Sequence, residues 1–186
     1  ITSDGGGDVA APAPVVDEGT TAVTIVVSTD QDGDTPTYSI SGGADAALFM
    51  IDPATGELTF KAAPNFDAPQ DSDGNNTYEV EVTVDDGNGS TDVQTLLVNV
   101  ADVNEAPVIT SDGGGDAATP APSVAENSTS VTTVTATDQD TADTLTFAIA
   151  GGTDQDKFTI DPVTGALSFV DAPDFENPTD ANGNSI

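Results

Sequence analysis

The chain has 186 residues, of which 33 are Asp or Glu and only two, Lys61 and Lys157, are basic. A formal net charge of −31 repels phosphate backbones and anionic lipid headgroups, so it argues against nucleic-acid binding and against direct insertion into a membrane. The sequence contains no Cys and no His, which argues against a disulfide framework, thiol catalysis and zinc–thiolate sites. Cations are therefore the expected partners of this surface.

Short runs of β-branched or alternating apolar residues in the first half of the chain are typical of β-strands. Most have the period of two that a half-buried strand shows, and Asp-Gly, Asn-Gly, Gly-Gly and Asp-Pro steps separate them. No segment has a sustained helical period. Seven such strands in roughly 100 residues predict an all-β fold of the Greek-key β-sandwich type. In chain order the runs lie at 14–18, 22–27, 37–40, 48–51, 58–60, 78–84 and 93–100.

The second half of the chain repeats the first. Residues 1–32 correspond to 109–140, and after one inserted residue Ile51-Asp52-Pro53 corresponds to Ile160-Asp161-Pro162. Because apolar, turn and acidic positions are all kept in order, biased composition does not explain the match. The pattern indicates a tandem array of small domains.

The two copies are unequal in length, and this predicts the domain boundaries. Ile186 aligns with Thr77, so the second copy lacks a counterpart of the last two predicted strands of the first. We expect a first repeat at 1–107, whose linker lies at 101–107, and a second, truncated repeat at 108–186. The apolar residues Leu145, Phe147 and Ile149 would then lie open to water.

Acidic motifs recur at corresponding places in the two copies. In this order, and within a repeat of this length, they resemble the bacterial cadherin-like repeats of large surface or adhesin proteins. The resemblance implies a cadherin/immunoglobulin-like sandwich that binds Ca²⁺. The matching segments are VVDEGTT around Glu18, SVAENST around Glu126, TDQD at 29–32 and 137–140, NFD at 65–67, DFE at 174–176, VDDG at 84–87 and DVNEAP at 102–107.

The resemblance implies a calcium site at the linker between the repeats. Ca²⁺ takes about six to eight oxygen ligands from carboxylates, amides and carbonyl groups, and this chain offers those groups in abundance. Asn65 stands where the family has an acid and Glu105 where it has Asp, so we expect weaker binding than in the family. The implied ligands are Glu18, Asn65, Asp67, Asp102, Asn104, Glu105, Asp138 and Asp140.

A second, partial site is implied at the other end of the first repeat. Asp30, Asp32 and Asp85 would supply half of its ligands. The segment at 30–34 reads equally well as a solvated turn, because Asp and Gly are turn residues in their own right. It is not an EF-hand, because Ser41 stands where that loop requires a bidentate Glu.

Two other local patterns favour structural interpretations. The segment at 71–76 also lacks a terminal Glu, so we interpret it as a surface turn in preference to an ion loop. The glycine tracts at 5–8 and 113–116 precede no strand-to-helix unit with a Lys, which argues against a phosphate-binding loop.

Catalysis finds little support in the sequence. There is no His, Cys or nucleophile elbow, and every cluster of carboxylates falls in a repeated turn or linker, where no cleft is expected. We expect a protein that is not an enzyme.

The expected function is a calcium-rigidified spacer or cell-adhesion module of a large extracellular surface protein. Its expected partners are the neighbouring repeats of the same chain and another cell-surface protein or polysaccharide. The extracellular location rests on the resemblance, since this sequence carries no secretion leader. The alternative is a carbohydrate-binding module, which needs an aromatic platform for sugar rings. Trp is absent, and Tyr38 and Tyr78 occupy inward or half-buried strand positions.

Overall fold

A computed structural model describes residues 1–2, 12–114 and 122–179 of the chain. The chain divides into two compact units, Ile1–Val103 (unit 1) and Asn104–Ile186 (unit 2). The glycine tract at 5–8 and residues 115–116 of its repeat lie outside the described residues. In the described ranges, no helix is long and apolar enough to cross a membrane.

Unit 1 is a sandwich of two β-sheets, which confirms the predicted all-β Greek-key fold. One sheet has the strand order β1-β7-β6-β3 and the other has the order β2-β5-β4. β1 runs parallel to β7, and every other strand pair of the unit is antiparallel. The strands are β1 (Val15–Asp17), β2 (Ala22–Ile25), β3 (Thr37–Gly42), β4 (Phe49–Ile51), β5 (Glu57–Phe60), β6 (Thr77–Asp85) and β7 (Thr91–Ala101).

The hairpin of β6 and β7 supplies most of the core of unit 1. β6 alternates residue by residue between buried and partly exposed positions, and β7 does so from Gln94 onward, as the period of two predicts. Seven of the thirteen buried hydrophobic side chains come from these two strands, including Tyr78, Val80 and Leu96. At about 1.5–3 kcal/mol for each large apolar side chain that is fully buried, the hairpin contributes the largest part of the hydrophobic stabilisation.

Three aromatic rings pack together at the centre of this core. Phe49 and Phe60 lie with their centroids 4.4 Å apart, and the Tyr78 ring meets Phe60 edge-on at 5.1 Å. Such tilted and edge-to-face contacts add to the free energy of burial. Tyr78 is 1% exposed and Tyr38 is 7% exposed, so the predicted inward orientation of both tyrosines is confirmed.

The turn between β4 and β5 has the same geometry in both units. Asp52 Oδ1 accepts hydrogen bonds from the amides of Ala54 and Thr55, and Asp161 Oδ1 accepts them from Val163 and Thr164, all at 2.8–2.9 Å. These amide bonds stabilise the charged form, so the pKa of each Asp lies below its ordinary value. The turn is thus a structural element of the repeat.

Unit 2 contains two small sheets among its described residues. One pairs β8 (Val108–Ile109) with β10 (Ala136–Thr137), and the other has the order β11-β12-β9, with β9 at Ser130–Thr133, β11 at Phe158–Ile160 and β12 at Ala166–Phe169. The second sheet corresponds to β2-β5-β4 of unit 1. In the described part of unit 2 there is no counterpart of β6 or β7.

The segment 145–149 of unit 2 forms no strand in the described structure. Its residues 146–149 correspond to 37–40 of β3, but the described residues include no neighbouring strand with which they could form a ladder. Its apolar side chains Leu145, Phe147 and Ile149 are half-buried. The exposure predicted for these side chains is therefore partial, since other residues of the unit cover part of their surface.

Candidate metal centre

Glu18 lies at one end of unit 1 and connects three segments of the chain. Its amide donates to the carbonyl oxygen of Ala101 at 3.0 Å. Its carboxylate accepts one hydrogen bond from the Phe66 amide and another from the Val103 amide, each at 2.9 Å. With 7% of its surface exposed, Glu18 holds a buried carboxylate next to the residues that follow β7.

Asp67 and Asp102 bring two further carboxylates to the same end of unit 1. A carboxylate oxygen of Asp67 lies within 4.8 Å of one from Glu18, and within 4.8 Å of one from Asp102. Asp67 and Asp102 are exposed. We call Glu18, Asp67 and Asp102 the β7-end acids.

Asn65 lies beside this group, but its side chain has a local structural partner. Its Oδ1 atom accepts a hydrogen bond from the Ala68 amide at 2.8 Å. Asp174, its counterpart in unit 2, accepts hydrogen bonds from the amides of Glu176 and Asn177. Both residues therefore shape the same turn. Each also places a side-chain oxygen at that position, from an amide in Asn65 and from a carboxylate in Asp174.

The other four implied ligands of the linker lie in unit 2. Asp140 is buried, and its Oδ2 atom accepts a hydrogen bond from the Glu105 amide at 2.9 Å. The Asp140 amide in turn donates to Asp138 Oδ1 at 3.1 Å. The side-chain amide of Asn104 donates to the carbonyl oxygen of Glu105. The structure thus brings Glu105, Asp138 and Asp140 together within one unit.

The partial site at the other end of unit 1 is less compact. Asp30 Oδ1 accepts hydrogen bonds from the amides of Asp32 and Asp34, and Asp85 Oδ1 accepts one from Gly87. A hydrogen bond of 2.7 Å from Asn88 to Asp34 joins the two loops. The groups of three acidic oxygens within 4.8 Å that the described residues form do not include Asp30, Asp32 or Asp85. Residues 30–34 thus form a turn, which is one of the two interpretations that the sequence allowed for this segment.

The loop at 71–76 forms a tight turn around its own acids. Asp71 is buried and accepts hydrogen bonds from the amides of Asn75 and Asn76. Its burial acts to raise its pKa, but these bonds and a hydrogen bond with Asp73 outweigh that effect and the pKa is lowered. The same contact with Asp71 raises the pKa of Asp73, because one proton shared between two carboxylates is retained more strongly.

Unit 2 contains an acidic group that the sequence-based ligand set omitted. Glu126, Asp174 and Glu176 each offer a carboxylate oxygen within 4.8 Å of the others, and all three are exposed. They correspond to Glu18, Asn65 and Asp67 of unit 1. The internal repeat was the signal that could have identified them.

The chemistry of the β7-end acids fits a hard dication. Every donor is a carboxylate oxygen, and neither imidazole nor thiolate exists in the chain to recruit a softer metal. The nearest alternative, charge pairing with protein cations, is limited to two lysines, one of which donates to the carbonyl oxygen of Ala47. The β7-end acids thus have the chemistry to bind a cation. For the alternative function, carbohydrate binding, both tyrosines lie in the core, where they cannot stack on a sugar ring.

Comparison with known proteins identifies the family and the fold. The sequence model of the family described as "Bacterial Ig domain" matches residues 7–99. Protocadherin Fat 4 of Homo sapiens is 35% identical over 146 residues, which cover 75% of this chain and 3% of that protein. Cadherin-related family member 2 of Mus musculus is 30% identical over 149 residues, which cover 76% of this chain and 11% of that protein. The chain thus spans a small fraction of these relatives.

A solved structure shows the same fold. The human protocadherin-24 EC1-2 crystal structure, form II, superposes with a TM-score of 0.58 at 22% sequence identity. The superposition covers 89% of this chain and 81% of that one. A cadherin-like sandwich is therefore shared by proteins whose sequences have diverged widely.

Proposed function

This chain belongs to the bacterial Ig domain family, and from that membership and its cadherin-like sequence we propose that it is a calcium-binding repeat of a large extracellular surface protein. In this proposal the repeat acts as a rigid spacer or cell-adhesion module and not as an enzyme. Its partners are the neighbouring repeats of the same chain and, at the cell surface, another protein or a polysaccharide. The chain contributes binding and stiffness, and Ca²⁺ contributes a positive charge that several carboxylates can share.

The observation that carries this proposal is the position of Glu18. A carboxylate is rarely buried without a partner, because removing its charge from water costs several kcal/mol. Here two backbone amides hold it in place, and a carboxylate oxygen of Asp67 lies within 4.8 Å of one from Glu18 and within 4.8 Å of one from Asp102. Such a concentration of negative charge favours binding of a divalent cation.

The fixed orientation of Glu18 also supports a structural role for the cation. One of its amide partners, Val103, is the second residue after β7, while the other, Phe66, lies in the loop after β5. A cation bound to Glu18, Asp67 and Asp102 would therefore connect the loop after β1, the loop after β5 and the segment after β7. Binding to the folded state alone stabilises that state in proportion to the logarithm of the cation concentration.

The remaining predicted ligands are proposed on the same chemistry. Asn65 offers an amide oxygen, Asp30, Asp32 and Asp85 offer carboxylates at the other end of unit 1, and four residues offer oxygens in unit 2. We propose these as weaker or additional ligands. The unit 2 residues are Asn104, Glu105, Asp138 and Asp140.

Calorimetric titration of Ca²⁺ into the wild-type chain and into Asp102→Ala tests the proposal. We expect the substitution to raise the Kd of the tightest site about tenfold, which is ~1.4 kcal/mol, because it removes a carboxylate that lies within 4.8 Å of that of Asp67. The matched control is Asp73→Ala, which removes an acid from the tight turn at 71–76. We expect that variant to bind Ca²⁺ as the wild type does.

Two outcomes would contradict the proposal. If Asp102→Ala and Asp73→Ala weaken Ca²⁺ binding equally, the affinity depends only on the total charge of the protein. If the wild type does not bind Ca²⁺, the cation has no part in the function. A parallel titration with Mg²⁺ checks the donor set, since Mg²⁺ demands near-octahedral geometry and releases its water reluctantly.

A further inference from the structure

The loop that joins β6 to β7 contains an exposed Asn-Gly step. β6 ends at Asp85 and β7 begins at Thr91, so residues 86–90 lie outside the ladder of the hairpin. Asn88 and Gly89 are both exposed. In the part of the chain that the structure describes, no other Asn is followed by Gly. This loop therefore has a chemistry that the other described loops do not share.

An Asn side chain that precedes Gly can lose its amide group without an enzyme. The backbone nitrogen of Gly89 attacks Cγ of Asn88, and the new N–C bond closes a succinimide ring. The side-chain nitrogen leaves as ammonia together with the proton of the Gly89 amide. Water then opens the ring at one of its two carbonyl carbons, which leaves either aspartate or isoaspartate at position 88. Water is the only co-reactant, and nothing is oxidised or reduced.

Two features of the loop favour this ring closure. Gly89 has no Cβ atom to hinder the approach of its nitrogen, and nothing lies within 4 Å of the position that a Cβ would take. The turn is held by hydrogen bonds from the amides of Asn88 and Ser90 to Asp86 Oδ1, at 2.7 and 3.0 Å. Because these bonds lie at the surface, the turn opens locally at a low cost in free energy.

The amide group that would be lost joins two loops of unit 1. Asn88 Nδ2 donates to Asp34 Oδ2 at 2.7 Å. Asp34 belongs to the turn at 30–34, where Asp30 Oδ1 accepts hydrogen bonds from the amides of Asp32 and Asp34. An aspartate at position 88 offers Asp34 no donor, and two carboxylates at this separation repel each other. The modification would therefore break the contact between the loops.

We propose that Asn88 is a site of spontaneous deamidation and that this modification separates the loop at 86–90 from the turn at 30–34. Since water is the co-reactant, the modified fraction grows with the age of the protein. The product adds one negative charge to an end of unit 1 that already carries the carboxylates of Asp30 and Asp85. This inference does not depend on the binding of Ca²⁺.

Peptide mass spectrometry of the 186-residue protein, kept in mildly alkaline buffer with a chelator, tests the chemistry. Asn127 is the internal reference, because it is also exposed but precedes Ser128. We expect Asn88 to convert at least about tenfold faster than Asn127, because Gly places no side chain in the path of the attacking nitrogen. Both aspartate and isoaspartate should form. The variant Asn88→Gln should stay unmodified over the same period, since its longer side chain would have to close a larger ring.

Hydrogen exchange of the Asp32 amide tests the structural consequence, because this amide donates to Asp30 at 2.7 Å within the turn. We expect the amide to exchange at least about threefold faster in Asn88→Asp, which carries the charge of the product, than in the wild type. Adding Asp34→Asn to that variant interchanges donor and acceptor and should restore the slower exchange. The proposal is overturned if Asn88 converts no faster than Asn127, if Asn88→Asp leaves the exchange unchanged, or if the second substitution restores nothing.

Discussion

Gly56 occupies a backbone position that no other residue can take without strain. Its φ is +72°, and a Cβ atom at this position would collide with the carbonyl oxygen of Val26. Gly165 has a φ of +69° and would collide with Val134 in the same way. That carbonyl lies so close because the amide of Val26 donates to the carbonyl oxygen of Gly56 at 2.9 Å, which joins the β4–β5 turn to β2.

Gly56→Ala should therefore destabilise unit 1 more than Gly74→Ala. Gly74 has a φ of +71°, but nothing lies within 4 Å of its missing Cβ. The control variant should lose about 1–2 kcal/mol from the left-handed backbone alone, and Gly56→Ala should lose about 1–3 kcal/mol more from the collision. Urea denaturation measures both. Equal losses would show that the collision is relieved by a small backbone shift.

The sequence predicts single residues well where a motif contains them and poorly where their partners are distant. Glu18 was identified from its motif, but its amide partners at Phe66 and Val103 follow only from the folded chain. Asp45 escaped prediction entirely, since one acid in a loop of small residues carries no periodic signal. It is nevertheless only 5% exposed. The amides that donate to it lie 27 and 34 residues away in the sequence, so only the folded chain shows this contact.

At the scale of elements, Asp45 connects the loop at 71–76 to β6. Its carboxylate accepts hydrogen bonds from the amides of Ser72 at 2.7 Å and Glu79 at 2.9 Å. Its own amide donates to the carbonyl oxygen of Glu79 at 3.0 Å. One buried side chain thus fixes the start of the strand that supplies much of the core.

Asp45→Asn should cost about 1.5–3 kcal/mol of unfolding free energy, because one charged acceptor is replaced by a donor that faces an amide. Thermal unfolding followed by circular dichroism measures the loss. The control is Asp154→Asn at the corresponding position of unit 2, which is less buried and should change the stability of the protein by less than about 0.5 kcal/mol. A similar loss in both variants would contradict this role.

Strands were predicted correctly where the alternation of apolar residues is long. Their ends were predicted less accurately where pairing with a neighbouring strand decides where the strand stops. Residues 78–84 and 93–100 were predicted from their alternation, and β6 and β7 contain them. The predicted strand at 22–27 ends at Ile25, because the Val26 amide bonds to Gly56 at the turn instead of to a strand. The segment 145–149 has the alternation of a strand but forms none, because no neighbouring strand lies among the described residues.

At the scale of the whole molecule, the two units differ in how much apolar surface they bury. Unit 1 holds every fully buried hydrophobic side chain of the described residues. Unit 2 repeats the same turns with nearly identical hydrogen bonds, for example from Val134 to Gly165 at 2.9 Å. Local turn geometry is therefore set within each repeat, and in unit 1 the β6–β7 hairpin supplies most of the core.

Calcium should restrict motion about the segment 101–107 if the proposed function is correct. The measurement is small-angle X-ray scattering from a longer chain that holds two whole repeats, first with Ca²⁺ and then with a chelator. We expect a single extended shape with the cation and a broader distribution of distances without it, because removing the cation restores repulsion among the carboxylates. The same chain carrying Asp102→Ala should respond less. Identical profiles with and without Ca²⁺ would contradict the role as a stiffened spacer.

The parallel pairing of β1 with β7 gives unit 1 a mechanical property. Val15, Val16 and Asp17 lie opposite Asn99, Val100 and Ala101. Since the strands run in the same direction, tension on the chain before β1 and after β7 loads these pairs side by side in shear, so that they must break together and not one after another. Glu18 and Asp102 follow the two strands directly. In the proposed function, a cation bound at the end of β7 would reinforce this clamp at the point where the pulling force enters β7.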